Sequence, residues 1–410
     1  DYQLNGKKKI IIEDKLLAYS ICLFGFFPLL PIRLKGFPVI LLLIVALYFF
    51  FKKKKIKFAM KGFLKLSSLF SISFLSIFYT GSFYFPKNKI ETSLSLIIIP
   101  LAFYLLHSKK IKRGLLVLFF KCFLLSTTIL SIFSFYFYYF NNLFRKDYFK
   151  VNSFRKLILE IPIVNDHPIY ISLYLALAML FSIAIFNSLN KSKKVILIVI
   201  NLINIFHLLL LSSKGVIIGF FIAAILFLFL KLRNTRNKLI LVFLLLSMFI
   251  LCLTYFPNMS RRFKELGIRS TYTELQTTNS TSVRVAVYKC ALETIKNRPF
   301  LGYGWGKGDL ALIECYKNKS DYLFKEKLNS HNQFLDYYLK GGVLALFILI
   351  YFIYHQFIIS IRERKYLLTS IIVFFSIQML SENILNRQTG IIMFIFIICL
   401  LKFENKFLIR

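Results

Sequence analysis

The sequence predicts an all-α, polytopic integral membrane protein of about twelve transmembrane helices, with a large extracytoplasmic loop containing a short amphipathic helix. Three observations predict this class. Hydrophobic residues make up 58% of the 410 residues and aromatic residues 18%, with mean hydropathy +0.67, more apolar surface than a soluble domain can bury. Apolar runs recur at the length, about 17–25 residues, that crosses roughly 30 Å of hydrocarbon. Basic clusters fall in alternate short connections between those runs, as cytoplasmic loops do.

In chain order the expected spans are 16–32, 37–51, 63–80, 90–106, 115–140, 168–187, 195–211, 215–230, 238–256, 332–357, 366–381 and 389–404. No internal repeat and no Pro/Ser linker divides them, so 1–410 reads as a single membrane domain whose first span acts as an uncleaved signal. A net charge of +36 would ordinarily point to nucleic acid. Its placement excludes that partner and leaves membrane lipids. Lys7–Lys9, Lys52–Lys55, Lys109 to Arg113, Lys191 to Lys194, Lys231 to Lys238 and Arg362 to Lys365 all lie in connections of one side. Both termini are therefore expected in the cytoplasm, with the connections 33–36, 81–89, 141–167, 212–214, 257–331 and 382–388 outside.

The loop 257–331 is the longest polar stretch and the place where polar chemistry is permitted. Asn279 to Ser282 supply N-cap candidates, and Arg284, Tyr288, Leu292 and Ile295 follow at near-helical spacing, which predicts a helix of about four turns. Pro299 and Gly302 stop it, and Gly302, Gly304, Gly306 and Gly308 permit a tight connecting turn. No Lys-Ser/Thr pair follows them, so this is not a nucleotide-phosphate loop. Cys290 and Cys315 flank the turn, either free or joined in a disulfide; Cys22, Cys122, Cys252 and Cys399 lie in spans as packing residues. No His or Cys falls at metal-ligand spacing, and neither a metal nor a cofactor is expected.

His331 stands immediately before the span 332–357, where an imidazole either moves a proton or caps a helix end. Arg284 lies on the loop helix, and Lys214 sits at the hairpin Ser212-Ser213-Lys214-Gly215. Glu382 and Arg387 share the last outer turn, where they either pair with each other or face a ligand. His167 precedes Pro168 at the start of another span, a helix start with an interfacial aromatic or a polar contributor to the same face. Cationic groups gathered around a His suit an anionic, phosphate-bearing substrate.

These residues resemble the O-antigen ligase and O-antigen polymerase (Wzy/WaaL-type) membrane glycosyltransferases. The resemblance rests on Ser282-Val-Arg284, Pro299-Phe-Leu-Gly302-Tyr-Gly304-Trp-Gly306, and His331-Asn332-Gln333-Phe334-Leu335 with Gly341-Gly342, inside a ligase-like region of about 195–350. It implies transfer of a glycan from an undecaprenyl-diphosphate carrier to an acceptor hydroxyl, lipid A core or a second lipid-linked glycan, in the inner membrane of a bacterium with the site facing the periplasm. Catalysis would be metal-independent and inverting. The resemblance gives catalytic roles to His331 and Arg284 and places Lys214 where the family has an arginine; Arg284, Lys214, Arg387, Glu382 and His167 are the expected diphosphate- or substrate-binding residues. Ligase, repeat-unit polymerase and protein O-oligosaccharyltransferase share these motifs. A polysaccharide or lipid transporter, the rival of another class, would place polar groups at mid-membrane with inverted repeats.

Overall fold

The computed structural model describes residues 15–52, 59–79, 91–106, 111–144, 153–161, 164–232 and 234–404. Helices dominate, and among these residues the isolated pairing of Ile111 with Glu404 is the one β-type contact. Seven helices among the described residues have the length and hydropathy to cross a membrane: Ile32–Lys52, Arg113–Phe140, Pro168–Ser188, Lys191–Leu211, Lys214–Lys231, Thr235–Tyr255 and Gln333–Arg362. Lys15–Gly25, Glu91–Leu105, Tyr366–Met379 and Gln388–Lys402 are apolar but shorter. Met60–Tyr79 is long, but its serines and lysines dilute its apolar character. The chain is a multi-pass membrane protein by helix composition, with fewer full-length spans among the described residues than the sequence suggests. One reason is visible at 16–32, where the helix stops at Gly25 and Pro28 and Pro31 divert the chain into the 3-10 turns Phe27–Leu29 and Ile32–Leu34.

The chain forms two compact units. The first comprises residues 1–59, 98–220 and 396–410. Its central helix, Pro168–Ile185, is buried on nearly every side and packs with Arg113–Phe144 and Lys191–Leu211. An aromatic core holds the discontinuous segments together: the Phe24 ring stacks on Phe396 at 3.8 Å, with Phe103 and Phe119 at 5.8 and 5.5 Å from Phe396. Polar groups within these helices pair with one another, as an apolar surrounding favours, although Nε2 of His207 is buried without a partner among the described residues. His207 meets the Ser131 hydroxyl at 2.9 Å, and Ser131 donates to Asn204 at 3.1 Å. Fully buried Lys35 pairs with Asp166, and the Tyr174 hydroxyl donates to Asp166 at 2.8 Å while accepting from Lys35 at the same distance.

The second unit comprises residues 60–97 and 221–395. Its axis is the helix Gln333–Arg362, against which Met60–Tyr79, Ser280–Asn297, Gly304–Lys317 and Tyr366–Met379 pack. That axis is broken at Gly342, whose φ of 65° and ψ of −163° lie outside helical values. A break strands one carbonyl and one amide that must find partners elsewhere. The segment 299–303 supplies both: the Tyr303 amide donates to the Leu339 carbonyl at 2.9 Å, and the Val343 amide donates to the Pro299 carbonyl at 2.9 Å. Backbone meets backbone so closely here that a Cβ on Gly302 would stand 2.7 Å from the Gly342 amide nitrogen.

This joint revises the reading of the glycine-rich run. Gly302 and Gly304 do make a tight turn, with φ of 64° and 82°, but Gly304 opens a helix that runs to Lys317 and contains Gly306 and Gly308. Gly308 is small because the Lys340 side chain crosses it, and Trp305 lies edge-on to Tyr337 at 5.2 Å. The helix expected after Asn279 is present as Ser280–Asn297, capped by the Asn279 side chain on the amides of Thr281 and Ser282. A Cys290–Cys315 disulfide, with Cα atoms 5.8 Å apart, joins it to Gly304–Lys317 over a core of Val287, Ala291, Leu312 and Tyr316.

Gly342→Ala combines a positive φ with a collision against the Phe300 carbonyl and is expected to cost about 2 kcal/mol or more. Gly114→Ala, with nothing within 4 Å of the added methyl, serves as the silent control. Thermal unfolding of the two purified variants beside the parent checks this; equal midpoints for all three would contradict the joint.

Candidate functional site

Three segments of the second unit converge on the Glu382 carboxylate. Arg284 points from the second turn of Ser280–Asn297, and its Nη2 donates to Glu382 Oε1 at 2.5 Å. His331 Nδ1 lies 3.4 Å from Glu382 Oε2. The three side chains are 23%, 24% and 16% exposed, so the cluster is open enough to meet a ligand and sheltered enough to limit screening.

Burial alone would raise the Glu382 carboxyl, but the hydrogen bond from His331 and the Arg284 charge outweigh it and hold the group at about 2. At neutral pH the carboxylate is therefore an acceptor only, and Nδ1 of His331 must be its donor. In the neutral ring this leaves Nε2 as the bare nitrogen. Among the described residues Nε2 of His331 has no hydrogen-bond partner, and neither has the buried Nε of Arg284.

The backbone is arranged to hold this geometry. His331 takes a left-handed conformation, φ 46°, that few non-glycine residues adopt. Its amide donates to Asn329 Oδ1 at 3.0 Å, and its carbonyl accepts from the Tyr288 hydroxyl at 3.1 Å. Tyr288 stands one helical turn after Arg284, and its hydroxyl also lies 3.0 Å from the Leu380 carbonyl, two residues before Glu382. Burial raises the Tyr288 phenol above its ordinary range, so the hydroxyl stays a donor. Asn332 caps the long helix through the amides of Phe334 and Leu335 and donates to Leu380 at 3.2 Å.

The family model described as O-antigen ligase matches residues 197–350. No curated protein matches the chain. Arg284, Tyr288 and His331 fall inside the O-antigen ligase region, and Glu382 comes from the turn beyond its end.

Behind this cluster lies an ionic network in which Lys340 and Asp336 are buried and Asp309 is partly exposed. Lys340 Nζ sits 2.7 Å from Asp336 and 3.3 Å from Asp309, and Asp336 Oδ1 accepts from Asn383 at 3.2 Å and Asn386 at 3.1 Å. Asn383 also bonds Ser330, the residue before His331, at 2.9 Å. The network thus docks the turn 383–386 onto the start of the long helix. The sequence signal for this network is the spacing of four between Asp336 and Lys340 inside an apolar run.

The remaining expected residues are placed as follows. Glu382 pairs with Arg284 and His331, not with Arg387. Arg387 is exposed where the turn leads into Gln388–Lys402. Lys214 and His167 belong to the first unit. Lys214 is buried and opens Lys214–Lys231 after Ser212, whose φ is 47°. His167 caps Pro168–Ile185, its Nδ1 accepting from the Ile169 amide at 3.4 Å. Ser172, held on the Pro168 carbonyl, meets the Ser213 hydroxyl at 2.8 Å and so ties these two helix starts together. Arg155, not singled out in the sequence, donates to the Leu211 carbonyl at 3.1 Å beside the same hairpin. Among the described residues no three His, Cys, Asp or Glu side chains gather as a metal site would require.

The value of about 2 for Glu382 lies below the ordinary 4.5, so its pairing stabilises the fold above about pH 4.5 and is lost as pH falls toward 2. The melting temperature of the parent should drop over this window more steeply than that of Glu382→Gln. Parallel curves for the two proteins would rule out a folded-state pairing of this strength.

Proposed function

We propose that this protein is an O-antigen ligase-type glycosyltransferase, moving a glycan from an undecaprenyl-diphosphate carrier to an acceptor hydroxyl, lipid A core, at the periplasmic face of the bacterial inner membrane. The observation that carries the reading is the Arg284–Glu382–His331 cluster, two of whose members lie in the matched O-antigen ligase region. In this reading Nε2 of His331 takes the proton of the acceptor hydroxyl as its oxygen attacks the anomeric carbon. The bond from that carbon to the diphosphate oxygen breaks on the opposite face, so the anomeric configuration inverts. Undecaprenyl diphosphate leaves with the bonding electrons, and Arg284 offsets the negative charge that builds on it.

Glu382 suits a different part from the substrate-binding one its position in sequence suggests. A carboxylate repels a diphosphate; held ionised, it instead fixes the tautomer of His331 and stabilises the imidazolium formed by proton transfer, as the carboxylate of a Ser-His-Asp triad does. It also holds one arm of Arg284 in place. The diphosphate is already a good leaving group, so the chemistry asks for a base and a cationic cradle without a dedicated acid.

His331→Ala and Arg284→Ala should each lower transfer by about 10²–10⁴-fold in a purified assay with lipid-linked glycan and acceptor. Full transfer by both folded variants would remove the site. In cells lacking the gene, free core with intact lipid-linked polymer identifies a ligase, core bearing one repeat identifies a polymerase, and lost protein glycosylation identifies a protein transferase.

A further inference from the structure

The far end of the long helix from His331 carries donors that the glycosyl transfer above does not use. There Met60–Tyr79 packs against Gln333–Arg362, and exposed Lys65 reaches from the first helix to His355 of the second, Nζ to Nε2 at 3.2 Å. The other ring nitrogen, Nδ1, lies 3.3 Å from Nε2 of the buried Gln356 amide. A neutral imidazole has one bare nitrogen and one N–H, so only one of these two donors finds an acceptor on it. A protonated ring offers no acceptor at all. Among the described residues Lys65 makes no ion pair with a carboxylate. The acid nearest His355 in sequence, Glu363, is taken up by Lys365 at 3.3 Å.

The depth of these groups matters. Lys65 lies five residues into its helix, about 7.5 Å along the axis, and His355 lies seven residues, about 10 Å, before the end of its own. On a membrane-crossing helix that depth is the headgroup zone, where a charge is kept only beside water or a counter-ion. Lys61 stands one turn before Lys65 and Arg362 two turns after His355, both exposed, so positive charge continues on the same faces toward the helix ends. In the other direction the surface turns apolar. His355, Tyr351 and Phe347 follow one another at intervals of four, with ring centroids 5.6 and 6.4 Å apart, and Tyr351 and Phe347 are 41% and 64% exposed. Converging donors thus stand at the head of an exposed aromatic stripe, as a polar headgroup with an apolar chain requires.

We propose that Lys65 and His355 bind the phosphate of an anionic phospholipid, whose acyl chain lies along Tyr351 and Phe347. The phosphate oxygens accept from the ammonium and from the imidazole N–H, so donors that otherwise face each other share one acceptor. The chain covers aromatic surface that the protein leaves open. One lipid held in this way spans Met60–Tyr79 and the last turns of Gln333–Arg362, and so fastens an early helix to a late one. The site lies at the opposite end of the long helix from the cluster on Glu382, and neither reading depends on the other.

The test uses the purified full chain in detergent, with bound lipids counted by native mass spectrometry. Titration with dioleoylphosphatidylglycerol should fill one site at least about tenfold more tightly than phosphatidylcholine of the same chains does. Lys65→Ala and His355→Ala should each weaken that binding about fivefold or more, and Lys65→Arg should keep it. Lys193→Ala, at an exposed lysine of the first unit, should bind as the parent does. Equal affinity for the two lipids overturns the site, and so does a folded Lys65→Ala or His355→Ala with parental affinity for phosphatidylglycerol. A loss as large in Lys193→Ala would reduce the effect to overall charge and overturn it too. Inorganic phosphate should fail to displace the lipid, because it lacks the chain; full displacement would make this a free-phosphate site and overturn its assignment to a phospholipid.

Discussion

The break in the long helix at Gly342 is the constraint on which the second unit is built. A transmembrane-length helix cannot leave a carbonyl and an amide unpaired in apolar surroundings. Here it lends them to the Pro299–Tyr303 segment, so two backbones become one hydrogen-bonded joint. His331 and Asn332 precede the same helix, and Arg284 belongs to the helix that ends just before Pro299. The joint therefore fixes the element bearing Arg284 against the element led by His331. The disulfide and the core around Leu312 and Tyr316 add rigidity to the same module.

On that frame, charge is apportioned economically. One carboxylate, Glu382, serves Arg284 and His331 from its two oxygens, and a separate lysine, Lys340, bridges Asp336 and Asp309. Buried charges stripped of water are tolerable only when paired and hydrogen-bonded. Asn383 and Asn386 complete the second set, and because they flank the turn from Glu382 onward, they also locate that carboxylate.

Much of this was legible in the sequence because it depends on local rules. Apolar length marked the helices, and Asn279 with its following periodicity marked the helix of Arg284. For the site the expectation was broader, placing Lys214, His167 and Arg387 on one face with Arg284, His331 and Glu382, and of these six only the last three make the cluster on Glu382. What stayed hidden were partnerships between distant segments. Nothing local shows that Gly302 is small for the sake of Gly342, that Tyr288 reaches the carbonyl of His331, or that Glu382 ignores nearby Arg387. The glycine run misled for the same reason. Its spacing reads as a turn, but Gly308 is dictated by Lys340, whose approach is a tertiary fact.

The interleaving of the two units has a consequence for biosynthesis. Phe24, Phe103 and Phe119 await Phe396 to complete their aromatic core, and Met60–Tyr79 awaits a helix that begins at Gln333. Each unit thus includes partners made early and partners made late on the ribosome. Helices inserted first must persist in the bilayer as separate, incompletely packed elements until the late ones arrive, so assembly of this protein is a post-insertion event and not a sequential one.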